Sequence, residues 1–120
     1  MTTKTKKAPR KLLASVKRKW LQALRSGKYK QGRGALHDRD ENTYCCLGVL
    51  NDICPEVRKS YHAREFLAPK KTEQAIGLTE TQQSTLARMN DKRADEYSAF
   101  GYAKHAYNFG AIADYIEANL

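Results

Sequence analysis

The sequence predicts an α+β domain: a basic helix near the N-terminus, a short β-hairpin, and several short helices around one core. Three observations carry this prediction. Apolar residues recur at helical spacing between Leu12 and Leu24, turn-forming residues separate "GALH" from "TYCC", and two helix-start signatures stand in the second half of the chain. At 120 residues the chain is long enough for one modest core. Residues 1–9 read as a basic flexible arm and residues 10–120 as a single small domain.

From Arg10 to Ser26, Leu12, Leu13, Val16, Trp20, Ala23 and Leu24 fall on one helical face, while Lys11, Arg18 and Arg25 line the other. Lys17 and Lys19 border the apolar stripe, where their stems cover core atoms. Gly27 suits a left-handed terminator. Gly32, Gly34 and the polar run Asp38 to Asn42 then predict a hairpin. From Cys46 a helix places Cys46, Leu50, Ile53 and Cys54 on one face, with Pro55 as its stop and Gly48 permitting close backbone packing. "VRKSYHAREFLA" suggests a short helix and "PKKTEQAIG" a loop with one helical turn. Thr79 with Gln82 is a capping-box pattern opening a helix through Met89, with Leu86 and Met89 inward. "NDKRADEYSAFGY" reads as a polar connection. Asn108 caps a last helix that buries Phe109, Ile112, Ala113, Ile116 and Leu120, leaving Asp114 and Glu117 in water.

The formal charge of +9 is unevenly placed. Residues 1–36 hold 12 Lys or Arg and no acidic residue, whereas residues 37–120 hold 10 basic and 13 acidic residues. Such a field draws polyanions, so nucleic acid or a nucleoprotein complex, an acidic protein face and, less well, an anionic membrane surface are the partners it suits. The expected contact set is Lys11, Arg18, Arg25, Lys28, Lys30 and Arg33 for phosphates, with Tyr29 as a ring for stacking. No helix-turn-helix, RNP or zinc-finger pattern is present, so base-specific reading is not expected. The glycine pair in "QGRGAL" also suits a small phosphate loop, although its spacing matches neither a P-loop nor a dinucleotide fingerprint.

Other chemistry is less well supported by the residues. Cys45 or Cys46 at a strand-to-helix junction, with His37, His62 or His105 as base, is the nucleophile reading. It competes with simple burial, which is the usual fate of a free cysteine and is expected here. Cys45, Cys46 and Cys54 match no zinc-ligand spacing, so no metal and no cofactor are expected. Three cysteines without a secretory signal read as free thiols in a cytosolic protein. Charge-free stretches such as Asn42 to Asn51 fall far short of the ~18 apolar residues of a membrane span.

The segments "KWLQALRSGKYKQGRGAL", "YCCLGVL" and "FGAIADYIEANL" resemble a group of small uncharacterised proteins of tailed phages and prophages, over Lys19 to Leu50 and Phe109 to Leu120. The resemblance implies a phage setting, in the cytoplasm of an infected bacterial host, and no catalytic residues. By analogy with small phage accessory proteins, it implies binding to host machinery or inhibition of a host or defence protein. The combined expectation is a non-enzymatic accessory protein that binds a polyanion through its basic N-terminal helix and loop.

Overall fold

Helix α2 (Cys46–Ile53) organises the fold, and Cys46, Leu47, Gly48, Val49 and Leu50 are all buried within it. The computed structural model describes residues 10–58, 67–91 and 107–120. In chain order these contain α1 (Ala14–Arg25), β1 (His37–Asp38), β2 (Thr43–Tyr44), α2, α3 (Pro55–Arg58), α4 (Pro69–Ile76), α5 (Glu80–Asp91) and α6 (Phe109–Asn119). The protein is α+β, with helices around one contiguous apolar cluster and a small antiparallel sheet. The expected flexible arm, residues 1–9, lies outside the described residues, as does most of the short helix expected after Glu56 and of the polar connection after Asn90.

The single apolar face predicted for α2 is too narrow, because Leu47 and Val49 are as fully buried as Cys46 and Leu50. A helix whose first five residues are all buried must hide its free N-terminal amides as well as its side chains. Cys45 caps it through sulfur, accepting from the Gly48 amide at 3.4 Å, and Asn90 of α5 accepts from the Cys46 amide at 3.2 Å. The Trp20 indole donates to the Cys46 carbonyl at 3.0 Å, tying α1 to the same point. Gly48 lets the chain before β1 approach: a Cβ there would overlap the Leu36 carbonyl.

Helix α1 starts at Ala14, four residues later than the apolar spacing suggests. No side-chain cap stands at Arg10. The preceding run is instead held extended, with the Leu13 amide donating to the Ile76 carbonyl at 3.0 Å. Leu12 is therefore buried and Leu13 exposed, and Lys11 stands outside the helical ridge that Arg18 and Arg25 share. The main partners of α1 are α6 and α2, while the hairpin rests on α2.

In the hairpin His37 pairs with Tyr44 and Asp38 with Thr43, and Gln31 adds a parallel bridge to Tyr44. The turn is shaped locally: Asp38 Oδ1 accepts from the amides of Asp40 and Glu41, and Asn42 takes φ 55°. Pro55 ends α2 but also opens α3. Residues 69–76 form two helical turns rather than one: Pro69 pre-sets the first turn, Gly77 at φ 85° closes the last, and Thr72 and Ile76 are buried on one face. The Thr79–Gln82 capping box forms in both directions, at 2.9 and 3.1 Å. Asn108 caps α6 by accepting from the Ala111 amide at 2.8 Å, and α6 buries the residues expected of it.

Candidate polyanion-binding surface

The exposed side of α1 and the adjoining α6 frame a shallow groove of about 440 Å³ lined by Lys17, Arg18, Leu21, Gln22, Arg25 and Glu117. Two of its cations are already engaged. Lys17 Nζ donates to the Glu117 carbonyl at 3.1 Å, near the C-terminal end of α6, where a positive charge is favoured. Arg25 donates to Asp114 at 2.7 Å and Glu117 at 2.8 Å, and hydrogen bonding to these carboxylates, Glu117 foremost, raises its pKa. Asp114 and Glu117 are therefore solvent-exposed, as expected, but act as counter-ions to α1 rather than as a free acidic face. Arg18 is exposed and has no ion pair among the described residues.

Beyond α1 the chain turns through Gly27 at φ 81° and runs along Lys28, Lys30 and Arg33, all exposed. Arg33 stands between two pinned glycines. The Gly32 amide donates to the Tyr44 carbonyl at 2.7 Å and the Gly34 amide to Asp91 at 3.1 Å. Both amides are thus spent inside the fold, one on a carboxylate, and the loop does not open them toward an anion. Gly32 is required for a second reason: a Cβ there would overlap the Thr43 side chain.

Asn90 holds this loop from behind. Fully buried, it accepts from Gln31 Nε2 at 2.8 Å as well as from Cys46, and donates to the Gly32 carbonyl at 2.8 Å and to Asp91 at 2.8 Å. The sequence placed it in a polar connection, and only its position one helical turn after the buried Leu86 hints at an inward side chain. Tyr29 is also differently used than expected. It is half-buried, its hydroxyl donates to Asp52 at 2.5 Å, and burial with that carboxylate pushes its pKa up to about 12.

The three cysteines are free and buried. Burial pushes the Cys45 thiol up to about 11 and the Cys46 thiol well above its usual value; burial and the nearby Glu56 raise that of Cys54. Each thiol therefore stays protonated at neutral pH. Cys46 points its sulfur at the Leu86 carbonyl, 3.7 Å away, and Cys54 at Glu56, 3.2 Å away. Of the histidines weighed as a base, His62 and His105 lie outside the described residues, and His37 stands on the hairpin beside Tyr44 and Asn42. Among the described residues no three His, Cys, Asp or Glu side chains gather as metal ligands, and no helix is long and apolar enough to cross a membrane.

A protein-family model described as a domain of unknown function (DUF8296) matches residues 12–67, a little under half of the chain. The match takes in α1, the basic loop, the hairpin, α2 and α3. No curated protein and no solved structure matches the chain.

Proposed function

We propose that this is a non-enzymatic accessory protein of phage type, acting in the cytoplasm of an infected bacterial host. It binds a polyanionic partner, nucleic acid or a host nucleoprotein complex, through Lys11, Arg18, Lys28, Lys30 and Arg33. The observation that carries this reading is the gathering of 12 basic and no acidic residues in the first 36, with Arg18, Lys28, Lys30 and Arg33 exposed and without ion pairs among the described residues. Arg25 lines the same groove as Arg18 but shares its charge with α6. The protonated, buried thiols support the non-enzymatic part, since a cysteine nucleophile requires an accessible thiolate.

The test is binding to labelled duplex and single-stranded nucleic acid across a salt series. The expected result is micromolar or tighter binding at low salt, with affinity falling steeply as salt rises. Absence of binding at low salt counts against the reading. Pull-down of a host protein that survives nuclease treatment would then favour direct contact with an acidic protein face.

A further inference from the structure

Three rings are stacked on the hairpin. His37 and Tyr44 face each other across the β1–β2 ladder, with ring centroids 4.2 Å apart and planes within 10°. Tyr29 meets Tyr44 edge-on, at 4.9 Å. Both ends are fixed, because the Tyr29 hydroxyl is held by Asp52 and His37 Nε2 lies 3.1 Å from Asn42 Oδ1. Tyr29 and Tyr44 are half-buried, whereas His37 is exposed and lines an open cleft of about 740 Å³ with Leu36, Arg39 and Asn51. His37 covers one face of Tyr44. The surface left for a further ring is the outer face of the imidazole.

Charge around the stack is polarised. On one side the segment carrying Lys28, Lys30 and Arg33 is joined directly to Tyr44, whose amide donates to the Lys30 carbonyl at 2.8 Å. On the other, the turn carries Asp38, Asp40 and Glu41 against a single cation, Arg39, so it is net negative and less favourable to phosphates. A polyanion meeting this platform is steered to the cationic edge, and whatever it lays across the rings must be flat and free of negative charge. A nucleobase meets that description. In a duplex the bases are already stacked on one another, so only an unpaired base is free to do so.

Resting on the polyanion reading, we propose that the partner is single-stranded nucleic acid and that an unpaired base stacks on His37. The experiment is fluorescence anisotropy with a labelled single strand, the same strand with abasic sites, and the matched duplex. Each is titrated with the wild-type chain, His37→Ala and His37→Phe. Removing one base–aromatic stack is expected to weaken single-strand binding about tenfold in His37→Ala, with His37→Phe recovering most of that affinity because it restores a ring without the hydrogen bond. Duplex and abasic strand should bind equally well to all three proteins.

Because His37→Ala removes a ring from the hairpin, the His37 imidazole proton resonances of the wild-type protein give a second readout. They should shift upfield with the intact strand and stay in place with the abasic one. Equal single-strand affinity for wild type and His37→Ala, or no such shift, overturns the stacking proposal while leaving the polyanion reading intact. Failure of all three ligands to bind at low salt overturns both.

Discussion

Gly48 and Asn90 each decide how closely segments distant in sequence can meet. Helix propensity alone favours alanine at Gly48 by up to about 1 kcal/mol. A methyl group there would collide with the Leu36 carbonyl, which belongs to backbone and cannot swing aside. Overpacking of this kind costs about 1–3 kcal/mol, so Gly48→Ala is expected to lower the urea midpoint, and a raised midpoint would show that the two backbones part readily. Asn90 makes four hydrogen bonds from a fully buried position. Truncation strands the buried Cys46 amide and removes the other three bonds, and Asn90→Ala is expected to cost on the order of 3 kcal/mol in denaturant unfolding. The buried thiols give a pH signature. The folded pKa of Cys45 lies above that of the unfolded chain, so its contribution is fully present below the ordinary thiol range near 9 and is lost as pH rises toward about 11. Stability should therefore fall between pH 9 and 11, by on the order of 1.4 kcal/mol per pH unit for this thiol. Unchanged unfolding midpoints across that window would place Cys45 in water.

Elements whose ends are fixed by local chemistry were legible in the sequence, and those fixed by tertiary contact were not. The Thr79–Gln82 box and the Asn108 cap bond to residues three positions away, so their helices begin where the pattern says. The start of α1 depends on the Ile76 carbonyl, far along the chain, and no local pattern encodes that partner. The same division applies to the candidate surface. Its cations are visible as a charge run, but the pairing of Arg25 with Asp114 and Glu117 joins residues about 90 positions apart. Likewise the open ring is His37 rather than Tyr29, because only cross-strand register reveals which ring lies outermost. On the proposed reading, Asp114 and Glu117 compete with the polyanion for Arg25. In the Asp114→Asn, Glu117→Gln double variant, binding should tighten and the dependence of log affinity on log salt should steepen by up to about one phosphate's worth. The melting temperature should change little, since exposed ion pairs contribute weakly. Unaltered binding would mean that Arg25 lies off the binding surface.

Across the whole molecule, positive charge is concentrated in residues 1–36, where α1 packs on α2 and the Leu36 backbone lies against Gly48. Four of the segment's apolar residues, Leu12, Trp20, Leu24 and Leu36, are consumed in the core. Six of its cations fall into two groups. Lys17 and Arg25 help to hold α6, whereas Arg18, Lys28, Lys30 and Arg33 have no ion pair among the described residues and contribute to the external field. Four like charges on one segment without internal counter-ions repel one another, and a partner of opposite charge relieves that repulsion. Replacing all four with glutamine should thus leave the fold intact, or slightly stabilise it by relieving repulsion, while removing most of the binding. For duplex DNA the salt slope should fall by about 0.9 for each phosphate that is no longer neutralised, so parallel titrations at three or more salt concentrations count how many of the four touch the partner. A variant that retains both its affinity and its slope would relocate the interface away from this segment. A variant whose affinity drops with no change in slope would show that shape, rather than charge, governs recognition.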